Sequence, residues 1–194
     1  GVAVRNHAFP IKTTPTVFIM SSILNRPSEI EKAVGIKAVT LEDNRWNQCN
    51  IKSISLLANV LSREEAVSRG FNEAILIKQD LLTEGAASTI WIIKDDNVCC
   101  PIKNSSLLEG IRIKLIEDIC KRIRINFKRK NITKNELLNA DEILLTSATK
   151  EVMPVVEVDN IKIGLKGRKG IPGPKFKKIS SEYSQIIKEN SNKL

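Results

Sequence analysis

The sequence predicts an α+β fold, and two observations carry that reading. Strand-like and helix-like stretches are mixed without strict β-α-β alternation, which argues against a doubly wound parallel sheet. The chain has 194 residues, 42% of them apolar and 27% charged. That is an ordinary globular mixture, long enough for one domain with a sizeable core, or one domain plus part of another. There is no internal repeat and no low-complexity segment.

The elements follow in order. "PTVFIMSSIL" (15–24) is a short apolar, β-leaning run that ends at "NRP". "SEIEKAVGIKAVTLED" (28–43) ends in an alternating, strand-like stretch. "SISLLANVLSREEAVSRG" (53–70) has a helical period: Leu56, Leu57, Val60, Leu61 and Val67 fall near one face, and Gly70 is a natural stop. Lys52 then stands at a strand-to-helix junction. "NEAILIK" (72–78) and "STIWIIKDD" (88–96) are strand-like and flank "QDLLTEGAA", read as a turn. "GIRIKLIEDICKRIRI" (110–125) is a helix with Ile111, Leu115, Ile119 and Ile123 along one stripe. "TKNELL" (133–138) opens with a Thr-x-x-Glu capping box. "DEILLTSAT" (141–149) is a strand running into hydroxyl residues. "EVMPVVEVDNIKIG" (151–164) is a hairpin turning at Asp159-Asn160. "GPKFKKISSEYSQIIKEN" (173–190) is a C-terminal helix.

The totals narrow the function classes. No apolar run reaches the roughly 18 residues a membrane helix needs, and the N-terminus has no signal-peptide layout. The chain reads as soluble and cytoplasmic. Its four cysteines form no CxxC pair and no ligand cluster with the single histidine, so reduced thiols are expected rather than a disulfide frame or a metal site. The net charge of +9 concentrates in 120–130 and 162–178. The first stretch continues an amphipathic helix, and aromatic residues make up only 4%, too few for a stacking platform. Nucleic acid is therefore not the expected partner.

Several motifs occur in series: "RNHAFP" (5–10), "RWNQCNIKSISLLANVL" (45–61), "EAILIK…LLTEGAASTIWIIKD" (73–95), "LLEGIR" (107–112), "ADEILLTSATKEVMPVVEVD" (140–159) and "GPKFKK" (173–178). In this order they resemble the fold-type IV aminotransferases that use pyridoxal 5'-phosphate (PLP), in particular those acting on D-amino acids such as D-alanine. The resemblance implies residues 26–194 as the large PLP-binding domain and 1–25 as the end of a small N-terminal domain with the interdomain connection. It also implies a homodimer acting on an amino acid and a 2-oxo acid.

The resemblance assigns roles by position. Lys52, in I-K-S, matches the lysine that holds PLP and shuttles a proton; a free lysine is protonated at neutral pH, so it must be desolvated or sit near positive charge. Glu84, in T-E-G, matches the carboxylate that faces the pyridine nitrogen; by itself it reads equally as an exposed turn glutamate. Ile111 and Arg112, at a helix start, and Ser147, Ala148 and Thr149, at a strand end, match the phosphate cradle. The family's D-alanine enzymes usually carry Thr at the position of Arg112 and a hydroxyl residue at that of Ala148. Arg5 and His7, spaced i and i+2 in an extended segment, match a substrate-carboxylate trap. Arg45 is expected to line the site from the strand that carries Lys52. The resemblance also leaves open a 4-amino-4-deoxychorismate lyase on the same fold. A non-catalytic fragment or basic binding module is a third reading.

Overall fold

The computed structural model describes residues 1–191. Its elements are α1 (Glu29–Val34), β1 (Ile36–Glu42), α2 (Leu57–Ser68), β2 (Glu73–Lys78), β3 (Leu81–Gly85), β4 (Thr89–Lys94), β5 (Asn97–Cys100), α3 (Ile113–Arg122), β6 (Asn126–Arg129), α4 (Lys134–Leu138), β7 (Glu142–Ser147), β8 (Glu151–Val158), β9 (Ile161–Lys162) and α5 (Pro174–Ser191). The strands form one nine-stranded sheet in the order β3-β2-β1-β8-β7-β4-β5-β6, with β9 paired to β8. β1 runs parallel to β2 and β8, whereas β7 is antiparallel to both β8 and β4. This mixed sheet with helices against it is the α+β architecture expected.

One connection sets the sheet's shape. β3 and β4 are joined by only Ala86, Ala87 and Ser88, yet four strands separate them in the sheet. Five inter-strand steps of ~4.8 Å would span about 24 Å in a flat sheet. The link from Gly85 to Thr89 reaches at most about 14 Å. The sheet must therefore curl on itself, and β3 and β4 come into contact.

Curling gives the sheet a closed inner face, and helices cover the outer one. Successive side chains along a strand point to opposite faces. Ile90 and Ile92 of β4 join Ile75, Leu82, Ile143, Leu145, Met153 and Val155 inside the curl. Trp91 and Ile93 point the other way, against Ile113, Ile116 and Ile119 of α3 and Phe176, Ile179 and Tyr183 of α5. A smaller cluster of Val39, Ala66, Phe71, Ala74 and Leu76 lies beside α2. Burial on both faces explains why "EAILI", "TIWII" and "EILL" read as continuous apolar runs. The buried Glu142 carboxylate accepts the backbone N–H groups of Lys175 and Phe176, both at 2.8 Å. It thereby caps the start of α5 and fixes that helix to β7.

Several local expectations hold. The Thr133/Glu136 capping box forms, and the β8–β9 hairpin turns through Asp159 and Asn160 with φ of 50° and 63°. Others change. Residues 15–24 form no strand; residues 1–28 carry no helix or strand, and 1–26 are exposed. "LLTEG" is strand β3 rather than turn, the reversal being confined to Gln79 and Asp80 at positive φ. Ile111 precedes α3 and is exposed, and the buried stripe is Ile113, Ile116, Ile119 and Cys120. The apolar row of α2 faces away from the sheet, with Leu57 72% and Leu61 61% exposed. Asn59 Nδ2 donates to the Ala86 carbonyl and the Arg63 guanidinium to that of Asn72, and these bonds turn the smaller, more polar face inward.

All four cysteines are free: Cys99, Cys100 and Cys120 are buried and Cys49 half-buried. Burial pushes the Cys100 thiol up to about 12 and that of Cys120 to about 11. The thiolate is the reactive form. A thiol reagent at pH 7.5 is therefore expected to label the native protein at Cys49 alone, and the other three only after unfolding. Native labelling of Cys100 or Cys120, read by peptide mapping, would contradict this core.

Candidate active site

The site is built around a buried arginine. β1 ends at Glu42, and the chain continues irregularly through 43–56 before α2. Asp43 and Arg45, in this segment, are both buried. The Arg45 guanidinium forks onto Asp43, with Nε–Oδ1 at 2.8 Å and NH2–Oδ2 at 2.7 Å. Its NH1 pairs with Glu84 Oε1, and its NH2 also reaches the Ser106 carbonyl at 2.9 Å. The Thr83 hydroxyl donates to Asp43 Oδ2 at 2.7 Å. The Leu108 backbone N–H donates to Glu84 Oε2 at 3.2 Å. One cation thus joins the segment after β1, strand β3 and the loop that leads to α3.

Burial and hydrogen bonding compete at these groups. Burial raises the Glu84 carboxyl above its ordinary value, and the bonds from Arg45 and Leu108 only partly offset it. At Asp43 burial also raises, but the bonds from Arg45 and Thr83 together win and hold the carboxyl below its ordinary range. The two carboxylates hold Arg45 further into its charged form, against the cost of burial.

A second group of contacts assembles the residues expected to cradle a phosphate. Gly110 lies so close to β4 that a Cβ would sit 2.4 Å from Thr89 Oγ1, so a side chain there would displace Thr89. The Arg112 side chain crosses to the end of β7: Nε donates to the Ser147 carbonyl at 2.6 Å and NH2 to that of Ala148 at 2.9 Å. Its NH1 pairs with the Tyr183 hydroxyl of α5, and the guanidinium lies 5.2 Å from that ring's centroid. On the far side of the 147–150 turn, Lys150 pairs with the wholly buried Glu73 at 3.4 Å, and Glu73 also accepts from Ser88 Oγ at 3.1 Å. The Trp91 indole donates to Thr146 Oγ1 at 2.9 Å.

Short polar links thus join Arg112 to Ser147 and Ala148, and Ser147 to Thr149, while Glu84 is tied to Arg45 and Leu108; Ile111, next to Arg112, is exposed. Two expectations about the lysine segment change. Lys52 and Arg45 lie in irregular backbone, not on a strand, and Lys52 is exposed. The Asp43 N–H still donates to the Ile77 carbonyl of β2 at 2.8 Å; beyond it the segment lies in no strand and is held by tethers: Arg45 to Glu84, the Cys49 N–H to the Ser105 carbonyl at 2.8 Å, and Asn59 to Ala86 at 2.8 Å. Arg5 and His7 are not brought to the site. They are exposed in a bent segment, and among the described residues their side chains make no hydrogen bond or ion pair. Asp43, Thr83, Glu73, Lys150 and Tyr183 were not anticipated; the Asp-x-Arg spacing at 43 and 45 was the one signal that could have pointed to the first.

Comparison with known proteins places the chain in a family. Residues 4–158 match the amino-transferase class IV model, and the chain belongs to that family. It is 36% identical over 187 residues to a D-alanine aminotransferase of Bacillus licheniformis, covering 96% of this chain and 64% of that protein. It thus spans rather less than two thirds of that relative's length. The fold matches a branched-chain amino acid aminotransferase of Escherichia coli with a TM-score of 0.69 at 26% identity, over 79% of this chain and 52% of that one. It also matches a putative 4-amino-4-deoxychorismate lyase of Legionella pneumophila with a TM-score of 0.68 at 18% identity, over 78% of this chain and 56% of that one, a likeness of fold alone.

Arg45→Met strands two buried carboxylates. It is expected to lower unfolding free energy by roughly 3–5 kcal/mol in urea titration. The pH dependence follows from Asp43: its depressed carboxyl adds stability that is full above the ordinary aspartate value of about 3.9 and is lost as pH falls through the lower folded value. That acid-side loss should be much smaller in the Met variant.

Proposed function

We propose that the protein is a PLP-dependent transaminase exchanging the amino group of a D-amino acid, of the D-alanine type, with a 2-oxo acid. The observation that carries this reading is Glu84, a buried carboxylate held by Arg45 and by the Leu108 N–H within a class IV aminotransferase chain. The residues fit the group. A carboxylate has about four acceptor positions, and two of those on Glu84 are used, so it can still accept from a pyridine N–H. The Ser147 and Thr149 hydroxyls stand at the cradle, and the lack of a side chain at Gly110 lets the loop before α3 close against Thr89. PLP, when bound, supplies an electron sink for the bonds at the substrate's Cα.

The chain's own residues supply the rest. Glu84 holds the proton on the ring nitrogen, and Arg45 orients Glu84. Lys52 would hold the cofactor through Nζ and would serve as the proton carrier at Cα. The tethers at Arg45, Cys49 and Asn59 limit where its exposed segment can go. Ile111, Arg112, Ser147, Ala148 and Thr149 hold the phosphate. Arg5 and His7 bind the substrate carboxylate once their segment is folded over the site. In this reading residues 1–25 belong to the end of a small domain, residues 26–194 form the large domain, and the working unit is a cytoplasmic homodimer.

The lyase reading is kept alive by one observation: the carboxylate trap that would mark a D-amino acid transaminase is not assembled at the site. The test incubates the protein as encoded with PLP and either D-alanine plus 2-oxoglutarate or aminodeoxychorismate. Amino exchange with D-alanine is expected. Pyruvate release from aminodeoxychorismate without amino exchange would assign the lyase, and absence of a yellow PLP complex would assign a non-catalytic role.

Two variants test the residues. Borohydride reduction should leave the pyridoxyl label on Lys52, and Lys52→Ala should abolish turnover; label on another lysine would overturn the assignment. Glu84→Gln should lower kcat at least roughly tenfold with a smaller change in KM, because a hydrogen bond to a charged group contributes about 1.5–3 kcal/mol. An unchanged kcat would reduce Glu84 to a structural partner of Arg45.

A further inference from the structure

The Arg112 guanidinium is committed to groups of the chain itself. Nε and NH2 grip two successive carbonyls, those of Ser147 and Ala148, while NH1 is held by Tyr183. In a trans peptide the N–H points opposite to the C=O of the same unit. Fixing the carbonyls of 147 and 148 therefore fixes the N–H groups of Ala148 and Thr149, aimed away from Arg112. Among the described residues those two N–H groups donate no hydrogen bond, and neither do the N–H groups of Ile111 and Arg112. An ungripped turn of small residues would let its amides wander. The Lys150–Glu73 pair anchors the turn from the other side.

We propose that Arg112 and Tyr183 are positioning residues for the cofactor phosphate, holding the 147–149 turn so that its free backbone N–H groups bind the phosphate. This rests on the PLP reading above. Arg112 acts through the backbone, and its charge lies behind the peptide dipoles it orients. The fork matters more than the charge: a lysine keeps the charge but cannot bridge two carbonyls and a phenol in one plane. Tyr183 supplies the third contact and a ring face, which together stop the guanidinium from turning.

The experiment compares PLP with pyridoxal, which lacks the phosphate, in the protein as encoded. Binding of each is titrated by absorbance for the wild type, Arg112→Lys and Tyr183→Phe. Arg112→Lys is expected to weaken PLP roughly tenfold or more while leaving pyridoxal within about twofold, the loss of charge-assisted hydrogen bonds being felt only through the phosphate. Tyr183→Phe should give a smaller loss with the same selectivity. Equal weakening of PLP and pyridoxal would reduce the pair to general structural support, and unchanged PLP binding in both variants would remove it from the site. If Arg112→Lys does not fold, Tyr183→Phe decides, since it keeps the ring and changes one atom. A wild type that takes up neither compound would overturn the PLP reading itself. A wild type labelled at Lys52, with variants that keep their preference for PLP, would overturn only this inference.

Discussion

The three-residue link between β3 and β4 is the constraint on which the rest depends. It is too short to cross a flat sheet, so the sheet curls, and the curl defines what is inside and what is outside. Strand β3, at one edge of the hydrogen-bonding order, is drawn to the start of β4. Glu84 and Thr89 sit at the two ends of this link. Without it, the Glu84–Arg45 pair and the Gly110–Thr89 contact would belong to separate parts of the molecule.

The polar residues then form a chain of short contacts along the mouth of the curl. Arg45 ties the segment after β1 to β3 and to the loop before α3. That loop delivers Gly110 against Thr89 and Arg112 against the end of β7. Beyond the 147–150 turn, Lys150 and Glu73 return the chain of contacts to β2. These groups lie in a low-dielectric surrounding, so each must be paired, and pairing fixes geometry. Burial raises the Glu84 carboxyl above its ordinary value. Arg45 opposes that tendency with a hydrogen bond and its charge while it also fixes the carboxylate's position.

Much of the fold was legible because local signals agreed with tertiary context. The Thr133/Glu136 capping box and the Asp159–Asn160 turn are short-range features whose physics is complete within a few residues. Strand β3 is hard to read locally because Glu and Gly are poor strand formers and "LLTEG" lacks a clear alternation; pairing with β2 makes it extended. Strands β5 and β6 were missed for a related reason: each has only 4 residues, and their parallel pairing joins segments far apart in sequence. The orientation of α2 was not legible because its period points to Leu57, Val60 and Leu61, while two side-chain bonds turn the other face inward. At the site, the motif residues were readable one by one through their resemblance to a family. Their links were not, because Arg45–Glu84, Arg112–Ser147 and Lys150–Glu73 each join positions 35 or more apart in sequence, which no local pattern encodes.

The grip of Arg112 on the Ser147 and Ala148 carbonyls also bears on how this sequence can change over evolutionary time. Threonine at 112 would leave two carbonyls and the Tyr183 phenol to find new partners. A hydroxyl residue at 148 gains little while arginine already sets that peptide's direction. Positions 112 and 183 are therefore coupled: a sequence that carries arginine at 112 gains from keeping a hydrogen-bonding aromatic at 183, whatever else changes in α5.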